Sequence, residues 1–436
     1  MNILIRGGRI LDVRIGLDLV GDLLIEDGIV KQIGERIQKI PQAKILDADG
    51  HVVCPGFIDI HCHLREPGDQ DQETIASGTA AAAKGGFTTV CAMPNTYPPV
   101  DSVRMVNFVM RKAKYEGVVN VLPIACVTAG RNGKSLTDLY GLARAGAVGF
   151  SDDGSPVTDM DLMIQAISSG FLIINHSEDL EISGRGVMND GQVSANLGLK
   201  GIPTLAEEAM VERDIALAKS IGGRLHLAHI STAGSVDLIR QAKKTGVQVT
   251  AEATPHHLTI TEDWTKSSDA HEFPYDTNAK VNPPLRSPQD VDALVNGLQD
   301  GTIDCIATDH APHTDAGKQC SFEEAAFGIS GLETALGSLM SLVHQGKLSI
   351  TTLIEKLTVG PSMVLNNPNI CSGSLQVGYP ADVTIFDPQA EWIVDPRSLV
   401  SKGKNTPLTG LMLKGKVVCT IVGGQMVYEG ETASNG

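Results

Sequence analysis

Between residues 55 and about 365, short apolar runs alternate with longer, Ala-rich stretches of helical spacing, and there are eight such runs. They are Gly56–Cys62, Thr88–Met93, Asn120–Val127, Val148–Ser151, Leu172–Asn175, Arg224–Ala228, Val247–Glu252 and Cys305–Thr308. The stretches between them include Thr74–Lys84, Arg104–Tyr115, Met160–Ser168, Leu205–Ser220, Ser235–Lys244 and Val291–Leu298. Strands that are apolar along nearly their whole length are buried on both faces, as happens in parallel sheets covered by helices. Eight βα units in succession predict an α/β fold of the (β/α)8 TIM-barrel type. A doubly wound open sheet is the alternative. It would need a glycine-rich turn after the first strand, where this chain reads His61-Cys62-His63.

The flanks differ. Residues 1–54 hold short β-like runs (Ile3–Ile5, Arg9–Val13, Asp22–Glu26, Ile29–Ile33, His51–Val53), with Asp27-Gly28 as a hairpin signal. From about 370 such runs return at Val383–Phe386, Leu411–Leu413, Val417–Val422 and Gln425–Tyr428. Chain ends often lie close together. The two segments, 1–54 and 370–436, are therefore expected to form one small β-sandwich domain beside a barrel of residues 55–369. A length of 436 residues, which alone suggests about three domains of ~150, then resolves into two.

Composition excludes several classes. Apolar residues make up 42%, too many for a disordered acidic chain. With 35 basic and 51 acidic side chains the net charge is −16, the wrong sign for a nucleic-acid or anionic-membrane binder. No apolar run reaches the ~18–20 residues of a membrane span. Met1 leads directly into Ile3-Leu4-Ile5, unlike a signal peptide. Eight cysteines without a CxxC pair predict reduced, buried thiols and a cytoplasmic protein.

Chemistry is concentrated where the apolar runs end. His61 and His63, two apart on the first strand, point to one face. Strand four ends in Asp152-Asp153, strand five in His176, strand six in His229 and strand eight in Asp309. In a barrel these positions converge on the C-terminal rim. Four imidazoles and two carboxylates suit two metal ions with positions left open for water and substrate. Spacing does not choose between Asp152 and Asp153. Strand four carries no lysine, where many such barrels use a carboxylated one, and a carboxylate from Asp153 could bridge instead. His226 has the opposite parity to His229 and is expected to face the helices. His256 and His257 are adjacent, and His51, His271 and His344 lie off the rim.

The motifs themselves resemble a known family. Pro55-Gly56-Phe57-Ile58-Asp59-Ile60-His61-Cys62-His63-Leu64-Arg65-Glu66-Pro67-Gly68 is similar to the opening signature of the amidohydrolase superfamily, in its dihydroorotase branch. Ala92-Met93-Pro94-Asn95-Thr96, Asn175-His176-Ser177-Glu178, Asn282-Pro283-Pro284-Leu285-Arg286 and Thr308-Asp309-His310-Ala311-Pro312-His313 agree, in order, over essentially the whole chain. The resemblance implies two Zn²⁺ per subunit on His61, His63, Asp153, His176, His229 and Asp309, with Asp153 bridging and Asp309 also the catalytic proton shuttle. It implies substrate contacts at His63, Arg65, Asn95, Asn282, His313, Phe327 and Gly328. The implied reaction is the reversible cyclisation of N-carbamoyl-L-aspartate to L-dihydroorotate in pyrimidine synthesis. The implied assembly is a homo-oligomer, with aspartate transcarbamoylase as the associated enzyme to consider.

Arg65 fits that substrate, since a planar guanidinium grips a carboxylate bidentately. Allantoinase or dihydropyrimidinase is the near alternative, but those relatives generally bridge with the lysine absent here. A non-catalytic homologue would lack ligand histidines, and all are present. A zinc-storage module would give Arg65 no purpose. Two loops, Ser183–Pro203 and Thr308–Phe327, are the candidates for moving elements.

Overall fold

A computed structural model describes residues 2–38, 40–267, 274–367 and 373–430. His271 and Cys371 fall outside the described residues. Eight parallel strands in sequential order form the barrel: Phe57–Cys62, Phe87–Ala92, Asn120–Ala125, Gly149–Phe150, Ile173–Asn175, Leu225–Leu227, Val249–Ala253 and Cys305–Ile306. Each lies within a residue of a predicted run. The first and last strands meet at the rim, where Asp309 N donates to His61 O (2.9 Å) and His63 N to His310 O (2.8 Å).

Burial separates the two faces. Phe87, Val90, Leu225, Leu227 and Ala251 pack outward against helical residues such as Val211, Val236 and Ile239. Ile58, Ile60, Ile124, Ile174 and Ala307 fill the interior. The interior is closed from below by Val364 and Leu365 of the helix Val359–Leu365. Arg224, at the start of the sixth strand, donates to the Val364 carbonyl (2.8 Å) and anchors that plug. The barrel core is thus packed below and leaves polar chemistry only at the top.

The strands of the chain ends share one sheet. Its order is Gln425–Glu429, Met412–Val422, Val383–Ile393, Val52–Pro55, Ile3–Asp12, Leu17–Glu26 and Ile29–Gly34, with Lys44–Asp47 branching from Ile3–Asp12. Asp27 (φ 51°) and Gly28 (φ 81°) both carry positive φ, as a type I′ hairpin turn requires. Gly28 also lies against Gly424, where a Cβ would meet the Gly28 Cα at 2.6 Å. The turns at opposite ends of the strand order therefore touch, and Ile25, Val30, Val383, Cys419 and Ile421 share one core.

Some elements were not foreseen. Helices Leu139–Ala145, Ala335–His344, Ile350–Leu357 and Val359–Leu365 have no predicted counterpart. The stretch expected to be a plain loop, Ser183–Pro203, carries the helix Gln192–Leu197 and a two-stranded sheet, Met188–Asn189 with Gly201–Ile202. Among the described residues no helix is long and apolar enough to cross a membrane.

Candidate metal centre and active site

The barrel strands bring all six predicted ligand residues to one place. Pairing of the first strand with its neighbour slips between Asp59 and Cys62. That irregularity lets His61 point inward although Ile60 already does, the kind of re-aiming that bulges provide near active sites. His229 closes the sixth strand with φ 33° and Asp309 follows the eighth with φ 45°. Arg65, in the first βα loop, has φ 55°. Left-handed backbone at three non-glycine residues of one site is strain that the surrounding packing must hold.

Asp153 is the hub. Its Oδ1 lies 3.3 Å from His61 Nε2, 3.7 Å from His229 Nε2 and 3.9 Å from His176 Nδ1, and its Oδ2 lies 3.6 Å from His63 Nε2. Asp309 Oδ1 lies 2.9 Å from His63 Nε2 and 3.5 Å from His61 Nε2. His176 Nδ1 and His229 Nε2 are 2.9 Å apart. Asp152 turns the other way, accepting from Thr128 N (3.0 Å) and from the Thr128 hydroxyl. Three of the ligand imidazoles are oriented from behind. His61 Nδ1 donates to Glu252 Oε1 (2.6 Å), His63 Nδ1 to Asn95 Oδ1 (2.8 Å) and His176 Nε2 to Glu178 Oε2 (3.0 Å). Asn95 Nδ2 in turn donates to Asp153 Oδ2 (3.1 Å).

The electrostatics follow from this crowding. Burial disfavours a charged His61, but Glu252, Asp153 and Asp309 outweigh it and push the imidazole well above its ordinary range. Burial also works against the Asp153 and Asp309 carboxylates, yet the neighbouring imidazoles, His61 foremost, hold both well below theirs. Carboxylates that draw a proton onto His61 would draw a metal cation equally. Of the ligand imidazoles, His61 Nε2 and His229 Nδ1 are buried without a hydrogen-bond partner. His61 Nε2 belongs to two ligand groupings, with Asp153 and His229 and with His63 and Asp309. An all N/O donor set with an orphaned inward nitrogen and its other nitrogen held by a carboxylate fits a metal ion.

His63, Asp153, His176, His229 and Asp309 floor a cavity of about 230 Å³, whose walls include Arg65, Asn95, Asn282, His313, Phe327 and Gly328. Arg65 Nε donates to Pro312 O (3.2 Å), and its Nη2 faces His313 Nε2 at 3.3 Å. His313 Nε2 donates to Phe327 O (2.8 Å). Burial, with the charges of Arg65 and Lys318, lowers His313 to about 3, so this imidazole is neutral near pH 7. Asn282 Nδ2 donates to Glu178 Oε2 (2.9 Å). Gly328 has φ 143°, and a Cβ there would meet Ala311 Cβ at 2.6 Å, so only glycine fits. A larger cavity of about 590 Å³ lies beside Thr277, Lys318 and Lys404, but none of the ligand residues lines it.

Several residues of the site escaped the sequence reading. Glu252 is fully buried and joins two ligand strands, accepting from His61 Nδ1, from His226 Nε2 (3.1 Å) and from His229 N (3.2 Å). It closes the seventh apolar run, the same signal that marked the other ligands. His226 was expected to face the helices and instead faces into the barrel, because the positive φ of His229 resets the alternation. Arg131 donates to the Asp153 carbonyl. Lys318 Nζ donates to the carbonyls of Thr277 (3.1 Å), Lys280 (3.1 Å) and Ala326 (2.7 Å), fastening the mouth loop. Arg286, 2% exposed, ties Ser231 Oγ to Asn189 Oδ1 and Ile202 O, and so secures the Ser183–Pro203 segment.

Glu252→Gln keeps the side chain's shape and removes its charge. It is expected to weaken metal retention about 10–100-fold, measured by competition with a chelator of known affinity.

Comparisons with known proteins agree with this geometry. The family described as Dihydro-orotase-like matches residues 50–235. A dihydroorotase of Thermoanaerobacter sp. (strain X514) is 48% identical over 434 residues, spanning 98% of each chain. That of Trichlorobacter lovleyi is 46% identical over 434 residues, 99% of this chain and 100% of its own. Among solved structures, the L-hydantoinase (dihydropyrimidinase) of Arthrobacter aurescens superposes with TM-score 0.86 at 26% identity, over 99% of this chain and 97% of that one. The dihydropyrimidinase of Brevibacillus agri NCHU1002 shares the fold, with TM-score 0.84 at 22% identity over 98% and 95%. Near-full-length identity at this level assigns the family: the chain belongs to the dihydroorotases, cyclic amidohydrolases built on a (β/α)8 barrel.

Proposed function

We propose that the chain catalyses the reversible cyclisation of N-carbamoyl-L-aspartate to L-dihydroorotate in de novo pyrimidine synthesis, using two Zn²⁺ per subunit. One observation carries the reading. His63, His176, His229, Asp153, Asp309 and Arg65 line a single cavity of about 230 Å³ at the barrel rim, with His61 buried behind them 3.3 Å from Asp153 Oδ1. His61, His63 and Asp309 would hold one ion, His176 and His229 the other, and Asp153 touches both sets. When bound, the metal pair supplies Lewis acidity, making water a nucleophile at neutral pH and polarising the ring carbonyl. The chain's residues do the rest. Arg65 binds the substrate's α-carboxylate through its charge, and the neutral His313 gives it the Nε2–H that otherwise rests on Phe327 O. Asn95, Asn282 and the backbone of Phe327-Gly328 orient the ring. In the hydrolytic direction the Asp309 carboxylate accepts a proton and returns it to the ring nitrogen as the amide C–N bond breaks.

The hydantoinase-like neighbours raise a second cyclic amide as substrate. The lysine-free end of strand four, with Asp153 reaching all four imidazoles, and the carboxylate-binding Arg65 favour dihydroorotate. The same reading divides the chain into a β domain of residues 1–54 and 370–436 and a barrel of 55–369. It places a homo-oligomer in the cytoplasm, with aspartate transcarbamoylase as the partner to test by co-purification.

Two outcomes check this reading. Arg65→Met is expected to lower kcat/KM by about two orders of magnitude or more while metal content stays at the wild-type value. Near-wild-type turnover would remove Arg65 from the clamp. Ring closure turns a dianion into a monoanion and water and takes up one proton. The equilibrium ratio of dihydroorotate to carbamoyl aspartate should fall about tenfold per unit rise in pH around neutrality. A ratio independent of pH, read by chromatography at equilibrium, would contradict this substrate pair.

A further inference from the structure

Asn405 lies outside the barrel, in the segment that leads to the strand Met412–Val422. Its side chain is nevertheless buried, and every polar atom on it is used at the wall of the active-site cavity. Nδ2 donates to Ala311 O (3.0 Å) and to Gly328 O (3.0 Å), and Oδ1 accepts from His313 N (2.8 Å). Its own carbonyl accepts from Ser330 N (2.8 Å). One amide therefore links the two segments that form the substrate side of the cavity. The first carries His313, whose imidazole faces Arg65. The second carries Phe327, whose carbonyl receives His313 Nε2, and Gly328.

The chemistry at this point specifies asparagine. The site presents two carbonyls and one N–H, and a primary amide answers with two donors and one acceptor. Aspartate offers the acceptor alone, and alanine offers neither. Gly403, two residues earlier, lets the segment lie this close, since a Cβ there would meet Pro312 Cβ at 2.4 Å and His313 N at 2.7 Å. Metal ligands are oriented by other groups, Glu252, Asn95 and Glu178.

We propose that Asn405 is a positioning residue for the substrate clamp, setting the distance between the His313 and Gly328 segments and hence the carboxylate pocket beside Arg65. The proposal rests on the reading of Arg65 and His313 as that clamp. It predicts that loss of the amide weakens substrate binding and leaves the metal centre intact.

The test uses the metal-loaded enzyme as wild type, Asn405→Ala, the isosteric Asn405→Asp, Arg65→Met, and Arg65→Met combined with Asn405→Ala. Expected is a KM for dihydroorotate raised about tenfold in both Asn405 variants, kcat within about threefold of wild type, and unchanged metal content. In the Arg65→Met background, Asn405→Ala should add less than about twofold, because both changes disable one device. A residue that merely stabilises the fold would instead lower Tm and metal content and multiply with Arg65→Met. Unchanged KM in both single variants, or multiplicative effects, overturns the assignment of Asn405. Absence of dihydroorotate turnover by the wild type overturns the proposed reaction instead, so the two failures are told apart.

Discussion

Asp153 puts a buried carboxylate within 3.9 Å of four imidazoles contributed by three strands. Such a charge is costly away from water unless it is paired and hydrogen-bonded. Much of the surrounding architecture answers that requirement. His61 and His63 approach from the first strand, His176 from the fifth and His229 from the sixth. Asn95 donates to the carboxylate, and Arg131 to the carbonyl of the same residue. Three of the imidazoles find acceptors on their far sides: His61 in Glu252, His176 in Glu178 and His63 in Asn95. The result is a polar cluster that a closed barrel tolerates only at its rim, above an interior sealed by Ile58, Ile60, Ile174 and the Val364-Leu365 plug.

The net charge of −16 sits awkwardly with a substrate that is a small dianion. The cluster shows why the global figure decides little. Asp153 and Asp309 face imidazoles, and Glu252 is buried between His61 and His226. These acids organise cations rather than repel the substrate. Arg65, beside them at the cavity wall, is the positive group that a carboxylate would meet. Local arrangement governs binding here, with net charge left to solubility.

The barrel was legible because its strands are apolar throughout and each is bounded by a helical stretch. The ligands were legible because a polar residue closing an apolar run stands out. Glu252 satisfies that rule too, since it closes the seventh apolar run. His226 was misplaced because two-residue alternation fails where His229 adopts φ 33°, and backbone sign is not written in composition. The helices Ala335–His344 and Ile350–Leu357 follow the eighth strand and continue the chain past the last expected unit. Asn405 and Lys318 act on backbone carbonyls, Asn405 on one 94 residues away, and such contacts leave no periodic trace.

The most direct measurement is metal content together with turnover of L-dihydroorotate, hydantoin and allantoin by the purified chain. The account predicts two zinc ions per subunit and hydrolysis of dihydroorotate, lost on chelation and restored by Zn²⁺. Turnover of hydantoin or allantoin alone, or dihydroorotate turnover undiminished in metal-free protein, would contradict it.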